Sequence, residues 1–336
     1  MAIVKVFVGL DYHDDFVQVC VMNGKGKILV NRKMSNDWQA IATAVKKTGR
    51  VARAAIEACN GAAHLADELI HRGGWPLELS HPGYVARLKQ SPDKSDYSDA
   101  QLLADLARVG YIPTVWLAPP EVRELRRVVR FRQQLAAERR NIKLRIGALL
   151  REHRVPRPSC HPWTRAWRRW LEKLELPTQT GWIVKQQLRR FDAVCLDLAE
   201  VEAHLAKLVE QDRLVQFLLT LPGIGPVTAI TLRAEIGRFD RFQRGKQLSR
   251  FCGLSPRNAS SGHRQADAGL IRAGNPQLRA VILQAAHRLK RYDPRWRTLA
   301  ERLRHRGKPG SVIAAAVANR WLRSLYHQVK QWSMAS

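Results

Sequence analysis

The sequence predicts an α/β N-terminal domain, then a long basic helical region, then a mostly α-helical C-terminal domain. Short apolar runs separated by turn residues fill the first third of the chain, as in a small sheet covered by helices. From about residue 121, apolar residues recur every seven positions among many arginines, which is typical of a long helix. The predicted boundaries place the three domains at residues 1–115, 116–212 and 213–336.

The first domain contains five predicted strands. The first strand is nearly all apolar and β-branched, as a strand buried on both faces should be. The strands are predicted at residues 3–10, 16–21, 27–30, 51–57 and 77–79. Three strands, a helix, and then alternating strands and helices form the element order of a ribonuclease-H-like fold.

Three helices accompany these strands. One is predicted near residues 38–45, and a second, amphipathic helix around residues 65–70. A loop follows the fifth strand. The third helix is predicted to begin at Ser98, because Ser98 and Gln101 have the spacing of a capping box, and to end at Gly110.

The second half of the chain reads as helical. Four residues spaced by seven predict a long helix with coiled-coil character: Val128, Leu135, Ile142 and Leu149. A second helix, around residues 195–209, is expected to return antiparallel to it. A further helix is predicted at residues 312–332, near the C-terminus.

The charge balance indicates a polyanionic partner. The chain carries 57 Lys and Arg against 29 Asp and Glu, a formal charge of +28, and phosphate backbones neutralise such an excess. The alternative for the arginines is an ordinary solvated face. The tryptophans near residue 163 could stack on unpaired bases, and packing in a hydrophobic core is an equally good explanation for them. The predicted contacts to nucleic acid are Arg123, Arg126, Arg127, Arg130, Arg139, Arg140, Trp163 and Arg168.

The five cysteines are far apart and form no Cys-x-x-Cys pair. This spacing argues against a zinc module and against a disulfide framework. The sequence contains neither a signal peptide nor an apolar run of membrane-spanning length. We therefore expect a soluble, cytoplasmic protein that has no membrane partner.

Four acids stand where a metal site could form. Asp11 follows the first predicted strand, Glu57 ends the fourth, and Asp96 and Asp99 flank the start of a helix. Carboxylates that converge at strand ends repel one another unless cations lie between them. Magnesium, bound as two ions, fits oxygen ligands of this kind. The alternative is that each acid is an ordinary cap or surface charge, which is strongest for Asp99.

The motifs around these acids resemble those of the DEDD-type insertion-sequence transposases, which are relatives of the Piv-type DNA invertases. The resemblance rests on motifs in both halves of the chain, in the family's order. They are Gly9-Leu10-Asp11, Ile56-Glu57-Ala58, Lys94-Ser95-Asp96-Tyr97-Ser98-Asp99-Ala100, Leu221-Pro222-Gly223-Ile224-Gly225, Phe251-Cys252-Gly253-Leu254-Ser255-Pro256-Arg257, Ser261-Gly262 and Ala273-Gly274-Asn275. The segment Tyr12-His13-Asp14 departs from the family pattern, which often has a small residue and a lysine there.

The resemblance implies a RuvC-like domain joined to a C-terminal transposase domain. It implies that the four acids bind Mg²⁺ and that Ser261 attacks DNA to form a covalent phosphoserine link. It further implies guidance by a structured bridge RNA, which pairs with donor and target DNA. Strand exchange between two duplexes leads us to expect a homodimer that assembles into a tetramer, working at the nucleoid of a bacterium or archaeon. Backbone N–H groups at Gly223 and Gly225 are candidate phosphate donors.

Two other functions remain open at this point. A metal-dependent nuclease of the junction-resolvase type would use the same four acids and a water nucleophile, and would need no serine. A non-catalytic protein that binds RNA or DNA would be explained by the charge alone.

Overall fold

In the computed structural model the chain forms two compact units, Met1–Ala118 and Pro119–Ser336. The structure describes residues 4–88, 95–258, 267–271 and 273–335. The first unit is a mixed α/β sheet domain and the second is mostly helical. A further division of the second unit at residue 212 stays a prediction.

One six-stranded sheet forms the first unit, in the order β3-β2-β1-β4-β5-β6. The strands are β1 Lys5–Tyr12, β2 Phe16–Asn23, β3 Ile28–Ser35, β4 Arg50–Glu57, β5 Leu77–Ser80 and β6 Thr114–Val115. The first three strands pair antiparallel, and β1, β4 and β5 run parallel. The five predicted strands are confirmed, although β1 ends later than predicted and so includes Asp11. The short antiparallel strand β6 is an addition.

The described residues of this unit include the helices α1 Trp38–Lys46, α2 Ala62–His71, α3 Pro82–Leu88 and α4 Asp96–Val109. Helix α3 lies where the sequence predicted only a loop. Its first residue, a proline, has a backbone angle preset for the first turn of a helix.

The predicted start of α4 at Ser98 is wrong. Ser95 has extended backbone angles, and its Oγ accepts a hydrogen bond from the Ser98 N–H at 3.2 Å. The Ser98 hydroxyl in turn donates to the Ser95 carbonyl at 2.8 Å. Ser95 is therefore the N-cap, and Asp96 and Asp99 both lie in the first turn. The helix ends as predicted, at Gly110 in the left-handed conformation.

Helix α4 packs directly on the backbone of β1 at Gly9. A Cβ at this position would lie 2.1 Å from the Ala100 carbonyl oxygen and 2.3 Å from the Ala104 amide nitrogen. Both alanines are fully buried. A glycine facing two alanines thus allows close helix-to-strand contact, which sets the height of α4 above the sheet.

The second unit begins with two long helices, α5 Pro120–Glu152 and α7 Thr178–Leu208, joined through the short α6 Arg165–Glu172. Arg132 contacts Glu202 and Glu138 contacts Arg190, so α5 and α7 are antiparallel, as predicted. Helix α7 begins well before the predicted start. The spacing rule nevertheless identified the inner face of α5, because Leu135 and Ile142 are buried there.

The remaining elements form a second hydrophobic core in this unit. They are α8 Arg213–Leu219, α9 Pro226–Ile236, α10 Gly245–Phe251, β7 Pro256–Asn258, β8 Asp267–Leu270, α11 Pro276–Tyr292, α12 Pro294–His305 and α13 Gly310–Ala335. Helix α13 confirms the predicted helix near the C-terminus. Among the described residues, none of the helices has the length and apolar character needed to cross a bilayer.

Replacing Gly9 with alanine should destabilise the first unit by about 3 kcal/mol, because the obstacle to the new Cβ is helix backbone. Urea unfolding of the full-length chain measures the loss, and hydrogen exchange of α4 peptides localises it. Gly24→Ala is the matched control, since a Cβ at Gly24 meets nothing within 4 Å. Equal stability of the two variants would contradict the packing argument.

Candidate active site

Two of the predicted acids meet at one edge of the sheet. The parallel register of β1 and β4 pairs Leu10 with Ile56. Asp11 and Glu57 are the next residues along their strands, so both lie where those strands end. The sequence predicted this placement from the two apolar runs alone.

The first turn of α4 brings the other two acids to the same end of the unit. Asn31 of β3 donates a hydrogen bond from Nδ2 to the Tyr97 carbonyl oxygen at 3.0 Å. The same asparagine accepts one from the buried Gln18 Nε2 at 2.7 Å. These bonds fix the turn that carries Asp96 and Asp99 over the antiparallel strands. Asp99 is buried, with 7% of its surface exposed.

Two basic side chains complete the cluster, and sequence reasoning missed both. His13 Nε2 lies 3.3 Å from Asp11 Oδ2 and 3.3 Å from Asp96 Oδ1. Lys33 Nζ lies 3.3 Å from Asp96 Oδ2. Both side chains contact the ring of Phe16: the His13 ring stacks on it with the centroids 4.6 Å apart, and Lys33 Nζ lies 4.0 Å from its centroid.

A signal for each of these residues does exist in the sequence. Asp11 and His13 are two apart, the spacing that puts side chains on one face of an extended chain. For Lys33 the signal is the hairpin register, which pairs Asp11 with Gln18 and Gln18 with Lys33. That register depends on the geometry of the turns that join β1 to β2 and β2 to β3, which the residue pattern alone does not reveal.

The electrostatics of Asp11 reflect a crowded acidic site. Burial raises the pKa of the Asp11 carboxyl, His13 lowers it, and the charges of Asp99 and Asp96 raise it again. The net shift is upward. The folded protein therefore destabilises the ionised form of Asp11, and a bound cation would offset that destabilisation.

The donor atoms suit a cation. One ligand atom each from Asp11, His13 and Asp96 lie within 4.8 Å of one another. Glu57 and Asp99 are not part of this group of three, although the charge of Asp99 acts on Asp11. Carboxylate oxygens are the ligands of Mg²⁺, whereas an imidazole nitrogen is more typical of transition metals.

A cavity of about 1020 Å³ lies at the end of β1 and β4 that is opposite to the acids. Lys5 and Arg50, the first residues of β1 and β4, line it together with Trp38 and Trp75. The acids sit at the opposite ends of the same two strands, so this cavity is separate from the candidate metal site.

Several arginines predicted to contact nucleic acid have partners inside the second unit. Glu235, with 2% of its surface exposed, accepts hydrogen bonds from Arg130 at 2.8 and 3.0 Å and lies 3.6 Å from Arg126. Arg127 pairs with Glu124. The hydrogen bond to Glu235 raises the pKa of Arg130, whereas burial lowers the pKa of Arg126.

The remaining predicted contacts differ in exposure. Arg140 is exposed, whereas Arg123 and Arg139 are half-buried. Arg168 makes a two-bond contact with Asp192, at 2.9 and 2.7 Å, and also bonds Glu172. Of this set, Arg140 is the side chain that is most open to an external phosphate.

Trp163 packs within the α5–α7 region. Its ring centroid lies 4.5 Å from that of Trp167 and 5.1 Å from that of Phe191, and Lys143 Nζ lies 4.9 Å from it. The ring is half-buried. This is the core-packing role that the sequence analysis held to be as plausible as base stacking.

The glycines at 223 and 225 form the turn between α8 and α9. Gly223 has φ +79°, and a Cβ there would lie 2.7 Å from Leu289. Gly225 precedes Pro226, the first residue of α9. Close packing thus accounts for Gly223, and phosphate binding at this turn stays a prediction. Ser261, with Ser260 and Gly262, lies outside the described residues, as does Lys94.

Two protein-family models match this chain, one in its N-terminal half and one in its C-terminal half. A family model described as a transposase, the DEDD type of IS110, matches residues 8–155. A second, described as the transposase IS116/IS110/IS902 family, matches residues 215–301. The chain belongs to the IS110/IS116 family of transposases. Enzymes of this family cleave DNA and transfer its strands.

Individual relatives agree with this assignment. The transposase for insertion sequence element IS1111A of Coxiella burnetii is 26% identical over 93% of this chain and 86% of its own length. The transposase for insertion sequence element IS1328 of Yersinia enterocolitica is 26% identical over 80% and 81%. The pilin gene-inverting protein of Moraxella bovis is 31% identical over 36% of this chain and 38% of its own. The chain is thus similar both to insertion-sequence transposases and, over about a third of its length, to a pilin gene-inverting protein.

Replacing Asp11 with asparagine should remove the stabilisation of this transposase by Mg²⁺. A ligand at ten times its Kd stabilises the folded state by about 1.4 kcal/mol, which is measurable as a rise in Tm of the full-length chain. Asp14→Asn, at an exposed turn acid, should keep the response. His13→Gln should also keep it, because Mg²⁺ takes oxygen ligands.

The same variant has a second expected effect. Because the folded-state pKa of Asp11 is raised, its contribution to stability is lost as pH rises through its titration. Asparagine does not ionise, so Asp11→Asn should be more stable than the unaltered chain at neutral pH without magnesium. An unchanged Mg²⁺ response in Asp11→Asn would contradict the assignment of Asp11 as a ligand.

Proposed function

We propose that this transposase cleaves and rejoins DNA through a RuvC-like metal site in its first unit. The single observation that carries the proposal is the gathering of Asp11 and Asp96 at one end of a sheet with strand order β3-β2-β1-β4-β5-β6. The element order along the chain, three strands, a helix and then alternating strands and helices, is that of a ribonuclease-H-like fold. The upward shift in the pKa of Asp11 supports a role for the cluster in binding a cation.

Asp11, Glu57, Asp96 and Asp99 would hold Mg²⁺, as two ions in each site. When bound, magnesium supplies positive charge that offsets carboxylate repulsion and the charge developing on a phosphate. The residues of the chain do the positioning. The sheet fixes Asp11 and Glu57, and the hydrogen bond from Asn31 to Tyr97 holds the first turn of α4 beside them.

Ser261 is the proposed nucleophile, on the strength of its family motif. Its Oγ would form a bond to phosphorus while the bond from phosphorus to a deoxyribose oxygen breaks. The serine proton passes to a base, and the departing deoxyribose oxygen takes up a proton. The product is a covalent phosphoserine, which the reverse chemistry on a second strand resolves into a new DNA junction.

The second unit is proposed to hold a bridge RNA. Its long antiparallel helices α5 and α7 would pack as a coiled coil, with the basic face of α5 gripping the RNA backbone. Donor and target DNA would pair with that RNA. Strand exchange between two duplexes would take place in a tetramer made from two homodimers.

A hydrolytic nuclease is the second candidate, favoured by one observation. All four acids lie in the first unit, which has its own hydrophobic core. A nuclease of the junction-resolvase type would use them with a water nucleophile and would need no residue of the second unit.

The variant Ser261→Ala separates these two functions. Strand transfer and the covalent protein–DNA adduct should both be lost, because alanine has no nucleophilic oxygen, and denaturing electrophoresis of radiolabelled DNA measures the adduct. Ser260→Ala is the matched control and should keep both. Cleavage by Ser261→Ala at the normal rate would support the nuclease.

RNA guidance is tested by sequencing the RNA that copurifies with the full-length chain. We expect one discrete structured species, because a guide must pair with defined donor and target sequences. Addition of that RNA to nuclease-treated protein should restore strand transfer. A heterogeneous mixture of cellular RNA, with no species enriched, would overturn the guided mechanism while leaving the serine chemistry standing.

A further inference from the structure

We propose that a groove between α12 and α13 binds the phosphodiester backbone of a nucleic acid. The two helices pack against each other in the second unit. Arg295 and Arg302 of α12 face Arg320 and Arg323 of α13 across a groove of about 570 Å³. All four side chains are exposed. This inference concerns a surface distinct from the acids of the first unit, and it does not depend on the serine chemistry proposed above.

The groove has an unbalanced positive charge. None of the described residues that line it is acidic. Glu301 is the last acid of the chain, and residues 302–336 contain seven Lys and Arg and no Asp or Glu. A surface with positive charge and no neighbouring acids attracts a polyanion.

The arginines of the groove differ from those of α5 and α6 in the partners that their guanidinium groups have. Arg130 and Arg168 each bond a carboxylate within the unit. In the described part of the chain, the guanidinium groups of the four groove arginines have no carboxylate partner, and that of Arg295 donates to the Ser324 hydroxyl, at 3.4 Å. Their guanidinium groups therefore keep their donors for an external ligand, and a guanidinium matches the geometry of phosphate.

The lining selects the backbone of a nucleic acid rather than its bases. Trp296 is 5% exposed and lies beneath Arg295, whose guanidinium is 4.6 Å from the ring centroid. This ring is consequently closed to base stacking and instead orients the arginine. The other contributions are the hydroxyl groups of Thr298 and Ser324, which also bond phosphate oxygens.

A strand of nucleic acid fits this charge better than a small phosphate ligand does. One phosphate monoester carries at most about two negative charges, fewer than the four cations of the groove. A nucleic acid strand presents a phosphate at every nucleotide and can satisfy several guanidinium groups together. The shared chemistry of DNA and RNA leaves the choice between them to experiment.

The test is the salt dependence of binding by the full-length chain. Fluorescence anisotropy is measured with a labelled DNA duplex and with an RNA hairpin of equal length. The tested protein carries Arg295→Gln, Arg302→Gln, Arg320→Gln and Arg323→Gln. The control carries Lys25→Gln, Lys27→Gln, Lys47→Gln and Lys207→Gln, which remove the same charge from exposed positions elsewhere.

Loss of four phosphate contacts should lower the slope of log K against log salt by up to about 3.6, at roughly 0.9 per contact. A larger change with the duplex assigns the groove to DNA, and a larger change with the hairpin assigns it to RNA. A slope equal to that of the lysine control with both probes would overturn the proposal. Displacement of the labelled probe by inorganic phosphate, at a phosphate concentration equal to the Kd of the probe, would also overturn it.

Folding is checked by circular dichroism. Should the quadruple variant lose helix content, the pair Arg320→Gln and Arg323→Gln on α13 alone replaces it, with an expected slope change of up to about 1.8. Formation of the Ser261 adduct on DNA is a separate readout. Its absence in the unaltered chain would refute the proposed chemistry and leave the binding result unaffected.

Discussion

Close packing of one helix on one strand controls the geometry of the candidate metal site. At Gly9 the backbone of α4 rests on β1 with no side chain between them. Because interiors are densely packed, such a contact leaves little freedom in height. It brings two acids of the helix to the strand ends that carry Asp11 and Glu57. Mutual repulsion would drive these carboxylates apart, so the packing of the first unit stabilises a cluster that is unfavourable in itself.

The second unit divides its large positive charge between two uses. Part of it is structural, since the buried Glu235 bonds Arg130 of α5 and also accepts a hydrogen bond from Asn275 at 2.7 Å. Removing Arg130 would leave the buried Glu235 with less compensation for its charge, so this arginine stabilises the fold. The arginines between α12 and α13 have no such role. A basic composition therefore does not identify a binding surface until the internal ion pairs have been subtracted.

Much of the first unit could be predicted from the sequence, because apolar periodicity and strand ends are local signals. The placement of Asp11 and Glu57 followed from two apolar runs. Lys33 was missed because its position depends on hairpin register, which composition does not reveal, whereas the two-residue spacing of Asp11 and His13 is a local signal. The cap at Ser95 was missed because Ser98 with Gln101 has the capping-box spacing and Ser95 does not. The hydrogen bond from the Ser98 N–H identifies Ser95 as the N-cap. The pairs Arg130–Glu235 and Arg168–Asp192 join residues far apart in the sequence, so no local rule could predict them.

The N-cap of α4 gives the metal site a conformational equilibrium of its own. Asp96 is the first residue of the helix, so it keeps its position only while the first turn is formed. An N-cap hydrogen bond of the Ser95 kind contributes about 1 kcal/mol, which is less than twice the thermal energy. Opening of that turn would withdraw both Asp96 and Asp99 and would break the hydrogen bond from Asn31 to the Tyr97 carbonyl. The set of four acids is thus complete only while the turn is formed, and a bound cation would shorten the time that the turn spends open.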